Sequence, residues 1–224
     1  MKNHKQAKDY FESPQDSIDE SFLIIENLVD FEEIPKMSRQ IVRRVIHATG
    51  DTDYAHSLVI HPKAVESGIE AIMSGKSVVT DVNMVRAGIN KKGISHFGGK
   101  IICKIADGDV AQKVNESNKT RAVTAMQESL DEMSGGIVAI GNAPTAVFSL
   151  IDLIRRESLV PALIVAVPVG FVKASESKEA LMVYLDSKKD YEIPYIVNIG
   201  RKGGSVVAVS IINALLQMVK SGEV

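Results

Sequence analysis

The sequence predicts a three-layer α/β/α sandwich around a mostly parallel, Rossmann-like doubly wound sheet. Three observations predict it. Six short β-branched runs are apolar almost throughout, the pattern of strands buried on both faces. They alternate with longer stretches of helical periodicity, so crossover helices fall between parallel strands. The handedness of such crossovers then puts helices on both sides of one sheet.

The elements follow in order. Residues 1–16 are polar and aperiodic and read as a flexible N-terminal arm, and residues 17–224 read as a single α/β domain. "SIDESFLIIENLV" is a helix, with Ser17 as N-cap and Glu20 three residues on. "FEEIPKMSRQIVRRVIHATG" is a second helix, opening near Pro35 and closing at Gly50. Strands are expected at 58–60, 77–80, 100–105, 136–141, 162–167 and 195–199. Helices are expected near 62–74, 83–89, 108–132, 144–157, 175–187 and 204–220. Cys103, the only cysteine, lies in "KIICKI" and reads as a small core residue.

Composition removes several classes of function. The net charge is -2, Trp is absent and aromatics make up 5%, which argues against nucleic acid as a partner. One cysteine allows no intramolecular disulfide and no multi-cysteine metal site. His4, His47, His56, His61 and His96 form no H-x-x-x-H pair, so no metal site is expected. No apolar run is long enough for a signal peptide or a membrane helix, and the cytoplasm is the expected location. There is no G-x-G-x-x-G, no P-loop and no G-x-S-x-G elbow, against dinucleotide, ATP or serine-hydrolase chemistry.

The predicted sheet places four loops at one edge: "TDVNM" (80–84), "GNAPTA" (141–146), "PVGFVKASES" (168–177) and "GRKGGS" (200–205). Their Gly, Pro, Asn and small polar residues let backbone N–H groups approach a ligand, and the following helices present positive dipole ends. With Arg201 and Lys202 they describe a site for an anionic ligand. Glycine-rich turns of this kind also serve tight packing alone, which is the other reading of Gly203 and Gly204. Asn142 reads equally as the N-cap of the helix containing Pro144, and Lys178 as a solvated charge on a helix face.

His47 needs its own account. At helical spacing, Met37, Ile41, Val42, Val45 and Ile46 form the core stripe of the second helix, and His47 falls away from its centre. Arg43 lies on roughly the side of His47. The helix C-terminus favours the charged imidazole, and the two arginines oppose it. Such opposed influences suit a residue that handles a proton, although a solvated histidine fits the position equally well.

Several stretches together resemble one family. "SFLIIE", "RRVIHATGD", "TDVNMVRAGI", "AIGNAPTAVFSLIDLI", "VPVGFVKASESK" and "GRKGGSVVAVSIINALL" are similar to the precorrin-8X methylmutases, including the cobalt-precorrin-8 methylmutases. The similarity runs in order from about Ser21 to Leu216. It implies an isomerase of cobalamin biosynthesis that moves a methyl group from carbon 11 to carbon 12 of (cobalt-)precorrin-8. The shift is formally 1,5-sigmatropic and gives cobyrinic or hydrogenobyrinic acid. The resemblance maps the catalytic histidine onto His47 and substrate-contacting residues onto Ser21 and Arg121. Asp81, Asn142, Arg201, Gly203 and Gly204 join them as substrate-binding candidates from the strand-end loops. It further implies a homodimer, no cofactor, any cobalt belonging to the substrate, and hand-over of product to the next enzyme of the pathway. The chemistry fits the residues: a redox-neutral shift needs none of the missing cofactor motifs, and a many-armed polycarboxylate suits N–H nests and cations. A non-catalytic corrinoid carrier would use the same clefts, and His47 is what separates the two.

Overall fold

A computed structural model describes residues 14–188 and 192–222. Its first elements are α1 (Pro14–Leu28), a 3-10 turn (Lys36–Ser38), α2 (Arg39–Thr49), α3 (Tyr54–Ser57) and β1 (Leu58–Ile60). There follow α4 (Ala64–Met73), β2 (Val78–Thr80), α5 (Asn83–Gly88), α6 (Lys91–His96) and β3 (Ile101–Ile102). The middle of the chain forms α7 (Gly108–Glu116), α8 (Arg121–Gln127), α9 (Leu130–Met133), β4 (Ile137–Ile140) and α10 (Pro144–Glu157). It closes with β5 (Leu163–Ala166), α11 (Ala174–Asp186), β6 (Tyr195–Asn198) and α12 (Ser205–Ser221).

The strands make one six-stranded sheet in the order β1-β6-β5-β4-β2-β3. All neighbours are parallel except β1, which runs antiparallel to β6. The expected α/β architecture is therefore present, with one edge strand reversed. From β2 the chain moves outward to β3, and from β4 it moves the other way through β5 to β6. The order thus reverses between β2 and β4, which lie side by side.

The strand residues divide by parity between two cores. Ile137, Ala139, Leu163 and Val165 face one layer, where they meet Ile41, Val45, Ile211 and Leu215 of α2 and α12. Val138, Ile140, Ile164 and Ala166 face the other, against Met126, Val147, Leu150 and Leu181 of α8, α10 and α11. This alternation is why the strands are apolar at nearly every position, the polar exceptions Thr80 and Asn198 falling at strand ends.

Several elements differ from expectation. The arm falls largely outside the described residues, and α1 already begins at Pro14. Ser17 is therefore inside the helix and not its N-cap; its carbonyl accepts from the Ser21 hydroxyl at 2.7 Å. Pro35 opens a 3-10 turn before α2, so Met37 stands outside the core stripe, 41% exposed. The single helix expected over 108–132 is three helices. The break at 117–120 arises because the Thr120 hydroxyl accepts from the Val123 N–H at 3.3 Å and starts α8 afresh. Finally, the strand over 100–105 is only Ile101–Ile102, and Cys103 is buried just beyond it. Asn90 caps a helix, α6, that was not anticipated, accepting from the Gly93 N–H.

Candidate active site

Strands β2, β4, β5 and β6 end at Thr80, Ile140, Ala166 and Asn198, and all four ends open on one edge of the sheet. Leu58 pairs with Asn198, so the segment between α2 and β1 lies over the carboxyl end of β6. This brings the last turn of α2, with His47, to the edge where the four loops emerge.

His47 is exposed there. Its ring meets Phe22 of α1 edge-on, with centroids 5.4 Å apart. Gly50 ends the helix in the left-handed region at φ 65°, its N–H donating to the Ile46 carbonyl. The two preceding arginines are engaged elsewhere. Arg43 pairs with Glu26 at 3.2 Å, and Arg44 donates to Gln217, while both guanidinium groups stack near Phe22. Ser21, adjacent to Phe22 and one turn before buried Ile25, is half-buried on the side of α1 that packs on α2.

Asp81 follows β2 and is 1% exposed. Its carboxylate accepts from the N–H groups of Gly141 at 3.0 Å, Asn142 at 2.8 Å and Ala143 at 2.7 Å. It thus spans the place where the strand order reverses and faces the N-terminal end of α10. Burial pushes the carboxyl up, against the opposing pull of the three N–H donors. Both oxygens are engaged within the protein, so Asp81 builds the 141–143 turn and does not face solvent. The Asn142 side chain is exposed, and the helix is capped by Ala143, which makes no side-chain capping bond.

Arg121 opens α8 and is exposed. Thr120 beside it donates to Thr145 in the first turn of α10 at 3.3 Å. That contact sets Arg121 next to the Asn142 turn, on the opposite side of the sheet edge from His47. The expected residues thus flank one edge from both helical layers, with the strand-end loops between them.

The 200–204 loop is the most constrained part of the edge. Gly203 has φ 143°, and a Cβ there would meet the Val167 carbonyl oxygen at 2.3 Å. The Gly204 N–H donates to that same carbonyl at 2.8 Å, and the Gly170 N–H donates to the Arg201 carbonyl at 3.1 Å. Packing therefore accounts for Gly203, and the close approach ties this loop to β5. Arg201 is exposed, with its guanidinium 5.1 Å from the centre of the Phe171 ring. Lys202 is not a free cation: it binds Asp51 at 2.6 Å and Asp53 at 2.7 Å. The pair holds the Asp51 carboxyl below the usual carboxylate range and the lysine above its own.

Lys178 overturns its sequence reading. It is 1% exposed, not solvated, and its ammonium donates to the Lys202 carbonyl at 2.8 Å and to Asn198 Oδ1 at 3.2 Å. A signal was available: Ala174, Ser177, Lys178, Leu181 and Leu185 fall at helical spacing and are all buried. Burial pushes the ammonium down to about 8 from 10.5. Across that window the unfolded chain keeps a proton that the folded chain has released, so stability rises with pH. The stability of the wild type relative to Lys178→Met is expected to rise by about 1–3 kcal/mol between about pH 7.5 and 10.5. Urea melts at a series of pH values measure this, and a flat difference counts against it.

Among the described residues no group of three or more His, Cys, Asp or Glu is arranged to hold a metal ion. Among them, too, no helix is long and apolar enough to cross a membrane.

Comparison with known proteins gives a consistent result. The family model described as precorrin-8X methylmutase matches residues 18–218. A protein of Priestia megaterium named cobalt-precorrin-8 methylmutase is 48% identical over 81% of this chain and 78% of its own. One of the same name from Leptospira interrogans is 44% identical over 91% of this chain and 93% of its own. The crystal structure of precorrin-8x methyl mutase from Thermus thermophilus superposes with a TM-score of 0.83 at 33% identity, covering 94% of this chain and 98% of that one.

Proposed function

The chain belongs to the precorrin-8X methylmutase family, and from that premise we propose that it converts cobalt-precorrin-8 to cobyrinic acid by moving a methyl group from carbon 11 to carbon 12. It is an isomerase, a methylmutase of cobalamin biosynthesis. The observation that carries the reading is the family match over residues 18–218, which takes in α2 and every strand-end loop. Cobalt is assigned to the substrate because the relatives at 48% and 44% identity are both named for the cobalt form.

The surface of the edge supports a large, flat, acidic ligand. Phe171, Val172 and Met84 are 87%, 78% and 70% exposed, an apolar rim suited to the face of a macrocycle. Arg201 and Arg121 take its carboxylate arms, with the Ser21 hydroxyl and the exposed side-chain amide of Asn142 as further candidates. Asp81 and Gly203 shape that surface from beneath.

His47, in its protonated form, donates to the conjugated ring beside the migrating methyl. Positive character on the π-system then favours migration, and the same imidazole holds the resulting tautomer. The shift is redox-neutral and transfers no phosphate, so the reaction proceeds without a cofactor and any cobalt stays with the substrate. A homodimer is supported by the outward stripe of α1, where Leu23, Ile24 and Leu28 are 61%, 52% and 66% exposed. Isomerisation leaves the charge and size of the ligand unchanged. Product is thus held by the same groups as substrate, which favours hand-over to the next enzyme.

Visible absorption spectroscopy tests the reading. The purified protein is expected to convert cobalt-precorrin-8 with a higher kcat/KM than precorrin-8X. Conversion of neither removes the activity, and preference for the metal-free ring removes the cobalt assignment.

A further inference from the structure

A continuous set of bonds joins the interior of the sheet edge to the helix end that carries His47. At its inner end the carbonyl of Lys202 accepts two buried donors, Lys178 Nζ at 2.8 Å and Asn198 Nδ2 at 2.6 Å. Lys178 and Asn198 are 1% and 0% exposed, and they also bond each other. At the outer end the ammonium of the same Lys202 grips Asp51 and Asp53. Asp51 in turn receives the Asp53 N–H at 3.0 Å, and its own N–H donates to the Thr49 hydroxyl at 3.3 Å. Thr49 is the last residue of α2 and bonds back to the Val45 carbonyl at 2.8 Å.

We propose that Lys202 is a positioning residue for His47: with Lys178 and Asn198 holding its backbone and Asp51 and Asp53 holding its side chain, it fixes the end of α2 against the 200–204 loop. One residue thereby sets the distance between the proton-handling imidazole and the loop that carries Arg201. The ammonium has two carboxylates within 2.7 Å, which leaves the cluster with a net negative charge, so it is not offered to an anionic ligand. The reason for two carboxylates is geometric. A single ion pair at the surface is weak and leaves the lysine free to swing, whereas two acceptors define its direction. Catalysis is sensitive to this kind of placement, because small displacements of a reacting group cost large factors in rate.

The kinetic half of the test rests on the methylmutase reading, and the spectroscopic half does not. Four proteins are compared with wild type: Lys202→Met, Lys202→Arg, the double variant Asp51→Asn/Asp53→Asn, and that double variant combined with Lys202→Met. Each is measured for kcat and KM with cobalt-precorrin-8, and for the His47 imidazole signal in proton–carbon NMR, assigned by its loss in His47→Ala. Lys202→Met and the double aspartate variant are each expected to lower kcat by about 10- to 100-fold, with KM changed by less than about 3-fold. Both displace the His47 signal. The combined variant is no worse than either parent, because all three remove the same contact. Lys202→Arg, which reaches both carboxylates, retains most of kcat and the native signal.

The opposite pattern overturns the proposal. If Lys202 were a substrate ligand, removing the two aspartates would free it and lower KM, while Lys202→Met would raise KM at constant kcat. An unmoved His47 signal in Lys202→Met also overturns it, whatever the kinetics. If wild type turns over no corrinoid, the methylmutase reading falls, and the NMR displacement still decides whether Lys202 positions His47.

Discussion

Replacing His47 with alanine is expected to lower kcat for cobalt-precorrin-8 by about 10²–10⁴-fold, the range typical for loss of a positioned acid or base. Affinity for the substrate should change by only a few-fold. The asymmetry follows from where the ring sits. His47 is exposed in the last turn of α2, and its aromatic contact is the edge of Phe22 at 5.4 Å. Its removal opens no core cavity, so the fold should survive. The carboxylate arms are assigned to other groups, so binding should survive too. What disappears is an interaction that strengthens only as the methyl migrates. Rapid mixing followed in the visible range separates the two quantities: the initial spectral change reports binding and the slower one conversion. A His47→Ala protein with normal turnover would withdraw the proton-handling role. Wild-type binding without conversion would point instead to a carrier.

The largest effect on stability is expected from Gly203→Ala. Two penalties coincide there. The φ of 143° is one that L residues rarely adopt, and the new Cβ would sit 2.3 Å from the Val167 oxygen and 2.9 Å from the Pro168 oxygen. Backbone atoms of a buried strand end cannot move aside as a flexible side chain does, so the loop must lift away. The cost is about 2–4 kcal/mol, or roughly 4–16 °C in Tm for a chain of this size. Gly204→Ala is the control. Its φ of 126° is similarly unfavourable, but the nearest atom lies 3.9 Å away, so only the conformational part of the cost applies. Thermal melts of the two should differ by about 1 kcal/mol or more. Equal losses would mean that the contact with β5 is not what demands glycine at 203.

The interior of the fold is legible in the sequence, and its margins are less so. "GIVAIG", "ALIVAV" and "YIVNI" announce β4, β5 and β6 because a strand covered on both faces is apolar almost throughout, Asn198 at the end of β6 being the buried and hydrogen-bonded exception. The direction of β1 is not legible: three residues that pair at a sheet edge carry no signal of orientation. The break around 128–129 is hidden because Met126, Leu130 and Met133 keep the apolar period across it, whereas the wholly polar run 115–121 marks the break at 117–120, where a side-chain cap at Thr120 restarts the helix. At the site, the strand-end loops and the last turn of α2 follow from architecture, and the assignment of His47 itself came from family resemblance. What the residue types obscured was which charges are already paired. Lys202, Lys178 and Asp81 all look like ligand-binding groups or solvated charges in a linear reading. Each is committed to a partner distant in sequence, which only the folded chain brings near.

Asp81 has a consequence for life among other metabolites. In doubly wound sheets the crevice where the strand order reverses is the usual berth for phosphorylated compounds, held by the amides at the start of a helix. Here that berth lies between β2 and β4, and its amides already hold a carboxylate that cannot diffuse away. Nucleotides, abundant in any cell, therefore meet a docking point that is permanently filled by the polypeptide. The sheet shares its layout with nucleotide-binding folds, and because this berth is filled by Asp81, nucleotides are expected not to inhibit the protein.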